Sequence, residues 1–192
     1  MNKFLLLPFL FLSMSVFGQE NWETSLKAGT NCSFFGSSSN KVFFGGIAGL
    51  EQIYNFDNSI FSVQSGFEFE NIGAGMSSLT IVAGNSNPSN NTFSRTNANY
   101  LSVPFHFRCK INEHWGALAG AAYRFGISGG QSGSRSSADD FCLDAGFFYM
   151  MKKVRFNLMY QHGLSKTNLG SQWAQSKNRT ITLSISSPFW NN

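Results

Sequence analysis

Ser102 and His106 come nearest in this chain to a nucleophile and its base. They share one face of an alternating segment, yet four residues of extended chain hold them about 13 Å apart. A hydroxyl and its activating imidazole must meet at roughly 2.6–3.2 Å, so the two form no dyad. His114 and His162 have no Ser or acid companion in the sequence. The chain therefore reads as a non-enzyme. Cys32, Cys109 and Cys142 are odd in number, and no Cys/His spacing resembles a metal site. The three thiols read as small apolar fillers rather than as a disulfide framework.

The remaining chemistry-bearing residues fall on one face of the alternating segments: Lys27, Glu51, Glu68, Glu70, His106, Arg108, Arg124, Asp144 and Arg155. Acids and bases nearly balance there. Enclosed together, they would form a hydrogen-bonded ion network, with Lys27 and Glu51 an expected pair across the first hairpin. Removing one partner of a buried pair leaves a stranded charge at a cost of ~3–5 kcal/mol.

The elements that must position these groups are long strands. From Asn99 to Ile111, Leu101, Val103, Phe105, Phe107, Cys109 and Ile111 alternate with Tyr100, Ser102, Pro104, His106, Arg108 and Lys110. After Asn112-Glu113-His114 the alternation resumes, and Trp115, Ala117, Ala119, Ala121, Tyr123 and Phe125 share a face. A period of two on both sides of a tight turn is a β-hairpin. Soluble strands average about 5–6 residues, whereas a tilted membrane-spanning strand needs roughly 9–11. Trp115 and Phe125 lie about 33 Å apart along extended chain. Tilted, that rises close to the ~25 Å apolar band of an outer-membrane barrel, with aromatics at both rims.

Composition points the same way. The chain has 192 residues, 21 Phe and only 12% charged side chains. It opens with Met1-Asn2-Lys3, the apolar run Phe4 to Leu12 and the small-residue exit Ser13 to Gly18, the pattern of a cleaved signal peptide over residues 1–18. The run is too short for a membrane helix, which needs about 20 residues. No later segment is apolar enough for one, and a closed barrel is the other structure that satisfies every backbone group in lipid. Residues 19–192 then make one outer-membrane β-barrel domain.

Along the chain, strands are expected near 25–34, 42–54, 61–70, 99–111, 115–128, 141–151, 154–165 and 179–189. Short turns follow the second, fourth and sixth. Long polar connections lie at 73–97, 129–140 and 166–178. Alternating short turns and long loops are the habit of an outer-membrane barrel, with the short turns periplasmic. The fold class is thus an eight-stranded antiparallel up-and-down transmembrane β-barrel. Its interior is just wide enough for side chains to fill, which argues against an open pore. Pro104 cannot donate to a ladder, and a bulge is expected there.

On this topology the outer loops carry Lys41, Arg95, Arg135, Lys166, Lys177 and Arg179 against only Asp139 and Asp140. Such a rim suits phosphate or acid groups of an outer-leaflet glycolipid. The last strand ends in Pro188-Phe189-Trp190 and looks like the terminal aromatic signal read by outer-membrane insertion machinery. Nucleic acid is not suggested, because no basic cluster interleaves with aromatics.

Tyr100-Leu101-Ser102-Val103-Pro104-Phe105, followed by the Gly-rich 116–126 segment, resembles the PorT-like family of Bacteroidetes outer-membrane barrels. Gly46 to Glu51, Asp144-Ala145-Gly146 and the strand from Arg179 to Phe189 fit the same outline. The resemblance implies a small eight-stranded barrel spanning nearly all of Leu26 to Phe189. Ser102 stands where the family carries an acid, so no role of that carboxylate transfers. The leading functional expectation is a structural, adhesive or surface-binding outer-membrane protein. The alternatives are a soluble lipocalin-like barrel with an apolar cavity, a narrow channel, or a barrel-embedded lipid-modifying enzyme.

Overall fold

The computed structural model describes residues 21–35, 42–78, 92–129, 139–165, 167–168, 175–176 and 178–191. The signal segment over 1–18 lies outside them. Eight strands form the barrel: β1 (Trp22–Phe35), β2 (Val42–Asn55), β3 (Phe61–Ser78), β4 (Thr92–Lys110), β5 (Trp115–Gly129), β6 (Asp140–Met151), β7 (Val154–Gly163) and β10 (Asn178–Asn191). Between β7 and β10, two-residue strands β8 (Thr167–Asn168) and β9 (Gln175–Ser176) pair as a separate small ribbon. Each barrel strand pairs antiparallel with its sequence neighbour, and β10 closes the ring onto β1. No edge is left to expose unpaired backbone groups, as lipid requires.

Alternation sets the two faces. Phe61, Phe105 and Phe107 are 55, 50 and 61% exposed, whereas Glu51, His106 and Arg124 are 0, 0 and 1% exposed. Leu26, Leu50, Phe69, Phe147, Leu158, Leu183 and Ile185 continue the apolar exterior around the ring. A continuous apolar belt of this size in water would be an aggregation surface; in lipid it is the favourable outside. The inside-out arrangement of a soluble apolar-cavity barrel is therefore overturned, because the charged side chains point inward and the phenylalanines outward.

The β4–β5 and β6–β7 turns sit as the alternation predicts, with Lys110 opposite Gly116 and Met151 opposite Val154. The β2–β3 turn, expected at Asn55 to Asn58, lies later: Asn55 pairs with Ser62, and the connection covers 56–60. The displacement is two residues, which keeps every side chain on its assigned face. Asn58 and Lys152 take positive φ (52° and 55°) in their turns.

Two expectations need correction. The stretch read as loop from Gly73 onward continues as paired backbone, Gly73 opposite Asn97 and Ser78 opposite Thr92, so β3 and β4 reach 18 and 19 residues. Backbone pairing needs no apolar side chains, so a Gly/Ser/Asn-rich composition did not prevent it. Leu79-Thr80-Ile81-Val82, whose residue types suit a strand extended beyond the membrane, lie outside the described residues. At Pro104 there is no bulge. The β3–β4 ladder skips from Ser65–Phe105 to Glu68–Ser102 in unchanged register, and the Ser65 hydroxyl donates to the Pro104 carbonyl at 2.9 Å. The register irregularities fall instead at Asn99/Tyr100 and Thr24/Ser25.

Candidate functional site

All nine residues expected on the inner face are there, none more than 4% exposed: Lys27, Glu51, Glu68, Glu70, His106, Arg108, Arg124, Asp144 and Arg155. They arrive on seven different strands, so the contacts between them are set by how far each side chain reaches across the ring.

Lys27 does not pair with Glu51. Ser25 is the residue opposite Glu51, and Lys27 lies opposite Gly49. Gly49 in turn lies opposite Glu68 on β3. With no side chain between, the Lys27 ammonium passes over Gly49 and donates to Glu68 Oε1 at 2.7 Å. His106 and Asp144 repeat the device. Gly120 lies between them in register, and His106 Nε2 meets Asp144 Oδ2 at 2.9 Å. A Cβ at Gly120 would fall 2.0 Å from the Phe105 carbonyl oxygen and 2.9 Å from His106 Cδ2.

Glu51 is taken by other donors. Arg155 Nη1 reaches it from β7 at 2.8 Å and Gln64 Nε2 from β3 at 2.9 Å. The other end of the Arg155 guanidinium bonds Glu23 on β1, which also accepts from Ser25. One guanidinium thus ties three strands together across the lumen.

Arg124 does the same from β5. Its Nη2 lies 2.8 Å from Glu70 Oε2 and donates to Gln161 Oε1 at 2.7 Å, while Nη1 donates to Cys142 Sγ at 2.9 Å. Asp140 Oδ2 is 3.9 Å from Nη1. Asp140 was read as an outer-loop acid, but it begins β6 with its side chain turned inward, where it accepts from the Ser165 N–H at 3.1 Å. A residue at a strand's first position can belong to either side by sequence; alternation with Cys142 and Asp144 decides it.

Glu23 and Asp140 change the charge count. Among the described residues the interior carries six acids (Glu23, Glu51, Glu68, Glu70, Asp140, Asp144) and four full-time bases (Lys27, Arg108, Arg124, Arg155). The near balance expected from sequence becomes an acid excess. Glu23, Gln64, Cys142 and Gln161 share inward parity with the nine, which is the signal that finds them.

Arg108 is the exception among the bases. Among the described residues no carboxylate lies within ion-pair distance of it, and its guanidinium carbon sits 4.2 Å from the Phe148 ring centroid. A cation over a desolvated aromatic face gains about 2 kcal/mol. Phe148 packs with Leu118 and Met159 into an apolar cluster near the short turns. Ile72, Ala98 and Tyr100 form a second cluster toward the long loops. The inner face is therefore not polar throughout.

The rim residues fare differently. Lys41, Arg135, Lys166 and Lys177 lie outside the described residues, and Arg95 is placed only by its backbone, opposite Gly75. Arg179 is exposed at the start of β10, opposite His162. Asp139 is exposed and accepts from Tyr123 Oη at 3.0 Å and the Gly126 N–H at 3.2 Å. Ser102 and His106 stay four positions apart on β4, as the strand requires. No metal-holding cluster of His, Cys, Asp or Glu occurs among the described residues. Cys32, Cys109 and Cys142 are free thiols, the first two on the outward face.

No family model and no curated protein matches the chain. Solved structures do. Ail, the attachment invasion locus protein of Yersinia pestis, in complex with the heparin analogue sucrose octasulfate, is 20% identical with a TM-score of 0.51, covering 88% of this chain and 99% of Ail. Neisserial surface protein A is 12% identical with a TM-score of 0.51, covering 88% of this chain and 97% of that one. At these identities the likeness bears on the fold: an eight-stranded antiparallel barrel of the kind those two proteins form.

Proposed function

We propose that this chain is a small non-enzymatic outer-membrane protein, structural or adhesive in duty, that works through its outer loops. One observation carries the reading: the apolar exterior encloses an interior filled by its own charged side chains. That interior is occupied by ion pairs, so recognition falls to the loops. Residues 1–18, with the apolar run Phe4 to Leu12, are the export signal, and the strand ending Phe189-Trp190 is the segment offered to the insertion machinery. Tyr100 to Phe105 and the Gly-rich β5 support membership of the PorT-like barrels.

The surface partner is the outer-leaflet glycolipid, whose phosphate and acid groups suit Lys41, Arg95, Arg135, Lys166, Lys177 and Arg179. The complex of Ail with the heparin analogue sucrose octasulfate supports a polyanion as the class of partner. The test replaces the six bases by Gln in the refolded protein and measures glycolipid binding in micelles. Loss of binding with an unchanged barrel is expected. Unchanged binding overturns the assignment. Heat-modifiable gel mobility after membrane fractionation tests compartment and closure together.

A further inference from the structure

At the opposite end of the barrel, the β4–β5 turn leans on the end of β6. The Met150 N–H donates to the His114 carbonyl at 2.6 Å, and Asn112 Oδ1 accepts from the His114 and Trp115 N–H groups at 2.9 and 2.8 Å. These bonds hold open a shallow pocket of about 590 Å³ lined by Asn112, Glu113, His114, Trp115 and Tyr149. Its wall is aromatic. The His114 ring stacks on Tyr149 at 5.9 Å and 22°, and Trp115 sits 4.8 Å from the same ring. Glu113 is exposed at the mouth and makes no ion pair among the described residues. Lys152 and Lys153 are exposed in the neighbouring turn, just beyond Met150.

The position matters as much as the lining. Ile111 and Trp115, 65 and 51% exposed, are the last apolar side chains of the exterior on these strands. The pocket therefore opens where the lipid-facing belt gives way to polar turns, at the depth of inner-leaflet headgroups.

We propose that this pocket is a binding site for the zwitterionic headgroup of a phosphoethanolamine lipid. The Glu113 carboxylate and the faces of Trp115 and Tyr149 receive the ammonium. Lys152 and Lys153 receive the phosphate. An anionic headgroup without an ammonium satisfies only the lysines and leaves Glu113 as a repulsive neighbour, so the site discriminates between the two lipid classes. The proposal rests on the membrane orientation argued under Proposed function.

The test is native mass spectrometry of the refolded full chain in detergent, with phosphatidylethanolamine, phosphatidylglycerol or free phosphoethanolamine added. The expected result is one retained phosphatidylethanolamine, preferred over phosphatidylglycerol by roughly three- to thirtyfold, the yield of one exposed ion pair and one cation–π contact. Glu113→Gln reduces the preference to what the cation–π contact alone supplies, and the Lys152→Gln/Lys153→Gln double variant weakens both lipids. Equal retention of the two lipids by the wild type overturns the site, as does an undiminished preference in Glu113→Gln. Competition by free phosphoethanolamine as strong as by the lipid overturns the lipid assignment. Heat-modifiable mobility of each sample reports barrel closure separately, so a failed site and a failed barrel are told apart.

Discussion

Lys27 and Glu68 meet at 2.7 Å although a whole strand separates them, because the residue between them in register is Gly49. His106 and Asp144 meet over Gly120 in the same way. In a barrel this narrow, a missing side chain on one strand is the passage through which its two neighbours touch.

Filling that passage should break the pair. A Cβ at Gly49 would lie 2.3 Å from the Phe67 carbonyl oxygen and 2.8 Å from Glu68 Cα. Gly49→Leu is expected to destabilise the barrel by ~3–5 kcal/mol, since it strands two buried charges. Urea unfolding in phospholipid bilayers, followed by tryptophan fluorescence, measures this. Gly46→Leu is the control, because a Cβ there meets nothing nearer than 3.9 Å.

Arg124 holds Glu70, Gln161 and Cys142 together, so its loss should exceed the loss of any one partner. Arg124→Met is expected to cost ~3–5 kcal/mol, because Glu70 and Asp140 are left buried without their cation. Adding Glu70→Gln should recover part of that. A double-mutant cycle on unfolding free energies reads the coupling, and strict additivity would show that the two do not act as a pair.

The exterior should be sensitive by depth. Phe105 faces Ala121, midway between Trp115 and Phe125, whereas Phe61 adjoins the β2–β3 turn. Phe105→Arg should cost ~2–4 kcal/mol and Phe61→Arg only ~0–1 kcal/mol. Equal costs at the two sites would place the bilayer elsewhere on the barrel.

Planar-bilayer recordings should show the wild type electrically silent or nearly so. The interior side chains Glu51, His106, Arg124 and Arg155 are essentially unexposed, so the described residues fill the lumen at those levels. Steady single-channel steps from the wild type would contradict the plug.

Much of this was legible from a period of two. Parity alone placed the nine charged residues inward and Phe61, Phe105 and Phe107 outward, and it survived a two-residue error in the β2–β3 turn. Parity says which face a residue takes, not whom it touches. The Lys27–Glu51 expectation failed because reach across Gly49 depends on register with two neighbours at once. Asp140 failed because a strand's first residue has no preceding alternation to fix it. The paired extension of β3 and β4 beyond Gly73 was hidden by its Gly/Ser/Asn-rich composition, since ladders are made by peptide groups whatever side chains they carry. Pro104 fits because the β3–β4 ladder omits two residue pairs without shifting the register of those beside them.

The seam where β1 joins β10 has a bearing on how the molecule is made. Leu26 is bonded into a sheet position beside Ser187, so the first barrel strand waits for the last before its second neighbour exists. Until then both flanks carry raw peptide groups that hydrocarbon will not accept. Insertion is thus expected to be concerted rather than stepwise, slow for its size because its decisive contact is so distant along the chain, and impossible for a nascent product that stops short of residue 178.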